Sequence, residues 1–353
     1  MDRKPVHAVE KIEKTVKPTT YAKAGVDIRR ENQTIKGIVN WAEKTFKFRE
    51  GKVGQPLSGI GTFANMIDLG DNRALVVCSD GVGSKVVVAQ ELEKYDTVGI
   101  DVVAMNVNDA ICVGAEPITM VDYLAMEESN PELASEIAKG MYEGAKQAGI
   151  AIVGGETACL PDMIKGLKNR GFDLAAAVVG IVDKDKIITG EKIVPGDKVI
   201  GFESNGIHSN GLTLARKVLP VTMWTKLLEP TRIYVPEVLQ LKKEFEVKGM
   251  ANITGGGMAN PLRITKYGYH LDNLPEPQMI FKKIQELGKI SDEEMYTTFN
   301  MGTGFTMVVS EKDALSMKKK YGQEYRLDII GTVIQKHHTK ITRGEKTIIL
   351  EEQ

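Results

Sequence analysis

The chain has 353 residues, 42% of them hydrophobic, with 46 Lys+Arg against 47 Asp+Glu and a formal net charge of -1. That length points to two domains, and the balanced charge excludes a mainly electrostatic nucleic-acid or membrane binder. The longest strongly apolar run, Leu174 to Val182, is nine residues, whereas a membrane span needs about 20.

The elements are expected as follows. Residues 1–20 read as a polar, lysine-rich arm with no apolar core, so no secretory signal is expected there and the chain is expected to be cytoplasmic. Residues 51–65 (GKVGQPLSGIGTFAN) form a glycine-rich loop. Leu75 to Ser79 reads as a short buried strand ending at Asp80, and Ser84 to Glu93 as a helix. Val98 to Val113 is apolar nearly all round and reads as a buried helix, on which Asp101 and Asn108 share a face. Polar residues on so apolar a helix need partners. Pro117 to Ala125 reads as a strand, Pro131 to Ala148 as an amphipathic helix, and Ile150 to Val153 as a strand running into Gly154-Gly155-Glu156-Thr157. Leu174 to Val182 reads as another buried strand.

The polar residues 183–186 and 195–197 mark the domain boundary. Beyond it, Lys198 to Phe202 reads as a strand leading into Ser204-Asn205-Gly206-Ile207-His208-Ser209-Asn210-Gly211. Helices follow near 210–218 and 235–245, then a short strand, Ala251 to Thr254, before Gly255-Gly256-Gly257. Late strands are expected near 303–309 and 325–334 with a helix between, and His337-His338 as a solvated pair. Alternating strands and helices in both halves give an α/β (α+β) class. The expected divisions are an extension at 1–20, an N-terminal domain at 21–184 and a C-terminal domain at 185–353.

Two runs carry the first functional signal: Asp80-Gly81-Val82-Gly83-Ser84-Lys85, and the stretch from Asp109 to Pro117 with Gly114 inside it. Each sets a carboxylate beside bare backbone. A carboxylate holds a hard divalent cation, and glycine lets amides approach phosphate oxygens. Together they point to a magnesium-nucleotide site, although no G-x-x-x-x-G-K-[ST] stretch occurs. Glu156, after two glycines at an expected strand end, reads as a functional carboxylate. Lys85 alone is weak, since it could snorkel from a helix. His208 sits among flexible polar residues before a helix. Ser209 or Asn210 could simply cap that helix, or the same geometry could aim donors at an anion, with His208 in substrate-phosphate or acid/base work. The three cysteines, Cys78, Cys112 and Cys159, have no C-x-x-C spacing and read as small buried hydrophobes in a reducing compartment, with no structural zinc.

In order along the chain, these runs resemble the aminoimidazole ribonucleotide synthetase family of purine biosynthesis. The similar stretches are YAKAGVDI at 21–28, Ile35-Lys36-Gly37, the loop at 58–63, DGVGSK at 80–85, GIDVVAMNVND at 99–109 and GAEP at 114–117. GGET at 154–157, SNGIHSNG at 204–211, PTRIY at 230–234, TGGG at 254–257 and EMYTTFNMG at 294–302 complete the series. The resemblance implies a two-domain ATP-dependent synthetase fold, a homodimer whose N-terminal sheets pair into a barrel-like core, and a C-terminal α/β domain. It implies ATP and Mg2+ as cofactors and formylglycinamidine ribonucleotide as substrate. ATP would place its γ-phosphoryl on the formyl oxygen; the amidine nitrogen would then close the ring and expel phosphate, leaving aminoimidazole ribonucleotide and ADP.

Carried onto this chain, the resemblance makes Asp80 and Asp109 the metal residues, Asp109 also catalytic, and Lys36 a nucleotide-site lysine. Gly59, Gly61 and Thr62 would fold over phosphates, with Gly81, Gly83, Lys85 and Glu156 on the nucleotide side. His208, Ser209 and Asn210 would face substrate, His208 as a proton-transfer group. Ser58 and Thr62 stand where relatives often have glycine, which bears on loop geometry. The alternatives are another kinase or synthetase of the superfamily, such as a thiamine-monophosphate kinase, or a silent nucleotide-binding scaffold. A selenophosphate synthetase would need a reactive residue before Cys78, and a hydrogenase-maturation protein a C-terminal cysteine where this sequence reads Glu351-Glu352-Gln353.

Overall fold

The structure is a computed structural model that describes residues 28–352. The expected arm at 1–20 and the run at 21–27 lie outside the described residues. In chain order the first half contains α1 (Ile28–Ala42), β1 (Asn65–Asp68), β2 (Arg73–Gly81), α2 (Lys85–Leu92), α3 (Asp96–Cys112), β3 (Glu116–Met126), α4 (Pro131–Ala148), β4 (Ala151–Cys159) and β5 (Phe172–Asp183). The second half contains β6 (Lys198–Glu203), α5 (Leu212–Val218), α6 (Val235–Glu244), β7 (Gly249–Asn252), β8 (Gly268–Leu271), α7 (Met279–Gly288), α8 (Asp292–Thr298), β9 (Thr303–Val309), α9 (Glu311–Tyr321), β10 (Leu327–Ile334), β11 (Thr339–Arg343) and β12 (Lys346–Leu350). This is a two-domain α/β architecture.

The first half builds a five-stranded sheet, β1-β2-β5-β3-β4. Its neighbours are antiparallel except for β3 and β4, which run parallel because α4 carries the chain back between them. α4 starts on Asn130, whose side chain caps Leu133 N, and stops at left-handed Gly149. It packs tightly on α3: a Cβ at Gly140 would lie 1.8 Å from Asp96 O, so the helix backbones can meet only through glycine. α3 is apolar all round because it touches β2 and β5, α4, and elements of the second half.

One face of this sheet is covered and the other is open. On β5, Leu174, Ala176, Val178 and Val182 are buried, while Ala175, Ala177, Val179 and Ile181 are half-buried. The strand expected at 174–182 is therefore present, with one face buried and the other half-buried. β3 shows Val121 and Tyr123 on the open side, and Val153 of β4 is 67% exposed. β4 also runs through the glycine pair rather than stopping at it: Gly154 to Thr157 pair with Val121 to Leu124. Pairing with β3 satisfies backbone groups that a loop would have left to solvent.

The second half forms a seven-stranded sheet, β12-β11-β8-β10-β6-β9-β7. All pairs are antiparallel except β11 with β8. Every residue of β9 is buried. β8, β11, β12, α7 and α8 escaped the sequence reading, since they are short and the strand pair β11–β12 is rich in lysine and arginine. His338 is 7% exposed rather than solvated, because its segment lies against β8, with Tyr269 N donating to His338 O. Cys78 and Cys112 are buried as expected, but Cys159, on the sheet edge, is exposed.

Candidate active site

Asp80 and Asp109 come together through two periodicities. The alternation of β2 turns Cys78 and Asp80 toward α3, and a three-residue step on α3 sets Asn106 beside Asp109. Asn106 joins the elements: its Oδ1 accepts from Asp80 N at 2.9 Å, and its Nδ2 donates to Asp80 O at 3.1 Å. Burial pushes the Asp80 carboxyl upward. Burial, with the Asp80 charge adding to it, pushes Asp109 up to about 7, although Asn252 Nδ2 donates to it at 2.8 Å. Two half-buried acids, both raised by burial and one raised further by the other's charge, are a donor set short of positive charge.

Among the described residues, no group of three or more His, Cys, Asp and Glu gathers as a ready metal cage. Magnesium typically takes one or two carboxylates and completes its octahedron with water and substrate phosphates, so the pair fits such an ion. The neighbouring glycine loop fits the phosphates. Ile60 N donates to the Glu43 carboxylate at 3.1 Å, so a loop amide already faces an anion. Arg263 donates to Gly61 O at 2.9 Å and stacks over Phe63, bringing a cation from the second half to the loop. Thr62 Oγ1 donates to Ala64 O, while Gly61 and Gly83 open onto free space. Gly59 lies against the Glu43 carboxylate, and Gly81 N donates to the Asp80 carboxylate at 2.7 Å.

The expected substrate side is the loop 204–211. His208 takes a left-handed backbone, φ 58°, and is 2% exposed. Its Nε2 accepts from Asn205 N at 3.3 Å and lies 3.5 Å from Arg232 N. Gly304 makes room for the ring, since a Cβ there would meet His208 Cε1 at 2.5 Å. Burial, with Lys85 and Arg232 adding to it, drives His208 down to about 3. His208, expected as a proton-transfer group, is held by this burial as a neutral ring whose Nε2 accepts from the loop backbone. Ser209 Oγ lies 3.3 Å from Thr231 Oγ1, and the buried Nδ2 of Asn210 has no hydrogen-bond partner among the described residues.

Lys85 is also placed differently from the nucleotide-side expectation. It is fully buried, 2.8 Å from Asp101, and donates to Glu229 O at 2.8 Å. Asp101 Oδ1 also accepts from Thr231 N and Thr231 Oγ1 at 2.8 and 2.6 Å. Asn108 donates to Arg232 O and accepts from Tyr234 N. The polar face read on α3 thus finds its partners in the segment 229–234. Glu156 stands exposed on β4, with β5 and β3 between it and β2, a separation of about 14 Å at ordinary strand spacing. Within one chain, Glu156 is therefore not brought to the acidic pair. Lys36 is exposed on α1. Asn252, Arg263, Asn106 and Glu43 were missed; only Asn106, polar on an apolar helix, carried a signal.

The fold and site define a two-domain α/β protein with an acidic pair and a phosphate-suited loop at the junction of its halves. The family of AIR synthase related proteins matches both: its N-terminal domain over residues 61–182 and its C-terminal domain over 194–344. A phosphoribosylformylglycinamidine cyclo-ligase of Pyrococcus furiosus is 50% identical over 339 residues, covering 91% of this chain and 99% of that protein. One of Methanocaldococcus jannaschii is 49% identical, covering 89% of this chain and 92% of that protein. The chain belongs to the AIR synthase family, as the sequence resemblance implied. Solved structures share the fold at lower identity. AaThiL complexed with AMPPCP and TMP has a TM-score of 0.62 at 14% identity, covering 89% of this chain and 96% of that one. The hydrogenase maturation protein HypE in complex with ATP has 0.61 at 17%, covering 81% and 86%.

Proposed function

We propose that this chain is an ATP-dependent cyclo-ligase that converts formylglycinamidine ribonucleotide to aminoimidazole ribonucleotide, with release of ADP and phosphate. Asp80 and Asp109 meeting beside a loop whose amide holds a carboxylate carries the reading, and relatives of that name at about half identity along nearly the whole chain support it. Asp80 and Asp109 would hold magnesium, which when bound supplies positive charge against the phosphates. Gly59, Gly61 and Thr62 bind phosphate oxygens, and Arg263 holds the loop over them. The ring-closing step needs proton acceptance from the amidine nitrogen; His208, lowered by burial to about 3, is a weak base for that step and is assigned to loop geometry instead. Ser209 and Asn210 bind the substrate.

The domain limits we assign are 21–184 and 185–353, following the two sheets. The protein works as a homodimer in the cytoplasm, closed over the open face of the first sheet. Val121, Tyr123 and Val153 there are apolar and exposed, a patch that a self-associating surface would cover. No helix among the described residues is long and apolar enough to cross a membrane. Incubating the purified chain with ATP, magnesium and formylglycinamidine ribonucleotide tests the activity. One imidazole product per ADP is expected; phosphate release without ring formation, or turnover of thiamine monophosphate in its place, overturns it.

A further inference from the structure

The loop 204–211 is held from two sides. Its first half belongs to its own domain: Ser204 Oγ donates to Asn300 Oδ1 and Asn300 Nδ2 donates to Gly206 O, both at 2.9 Å. Its second half rests on the segment 229–234, through Thr231 on Ser209 and Arg232 on His208. That segment is fixed by α3, by Asp101 at one end and Asn108 two turns on. Asp101 and Asp109 lie on the same helix, about 12 Å apart along its axis at 1.5 Å per residue. One rigid element therefore spaces the loop from the acidic pair.

The proton order follows from chemistry. Asp101, paired with Lys85, is acceptor-only. Thr231 Oγ1, at 2.6 Å from it, must give it its single proton. Thr231 can then only accept from Ser209, so Ser209 spends its proton on Thr231 and turns its lone pairs elsewhere.

We propose that Asp101 and Thr231 are positioning residues that fix Ser209 as a hydrogen-bond acceptor toward substrate, suited to an amidine N–H or a ribose O–H rather than to a phosphate oxygen. This rests on the cyclo-ligase reading and names which part of that substrate Ser209 meets. Thr231→Val keeps the volume and removes the relay. It should raise KM for formylglycinamidine ribonucleotide about 10-fold, the worth of one hydrogen bond, with KM for ATP changed less than about twofold. Thr231→Ser, which keeps the hydroxyl, should restore it. Hydrogen exchange at 205–211, measured without any substrate, should quicken in Thr231→Val and not in Thr231→Ser. Equal exchange in all three proteins, KM values for both substrates rising together, or no rescue by Thr231→Ser overturns the proposal. If Thr231→Val does not fold, Ser209→Ala reads the same contact from the other side, with the same KM split expected and an unchanged KM overturning it. A wild-type chain that forms no imidazole would sink the cyclo-ligase reading instead, while the exchange comparison would still decide the positioning.

Discussion

Asp101 and Asp109 sit on one helix in opposite circumstances. Lys85 lies 2.8 Å from Asp101, and Thr231 donates twice to its Oδ1, so its charge is answered inside the protein. Asp109 has a neutral amide, Asn252, as its close partner, and a second acid nearby. A paired acid stabilises the fold as it stands, whereas an acid left short of positive charge is prepared for a cation brought by a ligand. The same contrast divides two lysines. Lys85 has a carboxylate, whereas Lys242, largely buried, donates to the carbonyl of Gly114 just beyond α3.

The contrast is tested hardest at its paired end. Asp101→Ala leaves the Lys85 ammonium buried without its counter-charge. We expect a loss of about 3–5 kcal/mol in urea unfolding, and a loss below about 1 kcal/mol would mean that the pair carries little. At the other end, Asp109→Asn should lower ATP-dependent turnover at least about 100-fold, yet leave the thermal midpoint within a few degrees. Joint loss of stability and activity would erase the distinction between the two aspartates.

The smallest effect belongs to Lys242. Burial, with Lys186 adding to it, lowers its pKa from 10.5 to about 8. Its folded value lies below its unfolded one, so the unfolded chain binds more protons between pH 8 and 10.5, and stability rises with pH across that window. Partial exposure reduces the effect to about 1–2 kcal/mol. Lys242→Met should remove that slope and be the more stable protein at pH 7. Parallel stability curves for the two proteins from pH 7 to 10.5 would count against it.

Much of this was legible locally. α4 was readable from Pro131 and its 3.6-residue pattern, and β9 from its apolar run. α3 was readable as a buried helix, and its polar face at Asp101 and Asn108 required partners, but the partners themselves, Thr231 and Tyr234, lie more than a hundred residues away. Glu156 looked like the end of a strand because two glycines precede it; pairing with β3 carried the strand through them. His208 looked mobile among Asn, Ser and Gly, but the ring packs by Gly304 and Tyr234, contacts that no local pattern encodes.

The sequence by itself determined the alternation of strands and helices, the family, and the glycine-flanked acids Asp80 and Asp109, because these depend on side-chain periodicity and on residue types at short spacing. Only the tertiary structure decided which charges are answered. It paired Lys85 with Asp101, made His208 a neutral acceptor, and left one face of the first sheet open. The physical reason is that burial and long-range pairing set a group's charge state, and both depend on what the fold brings from distant parts of the chain.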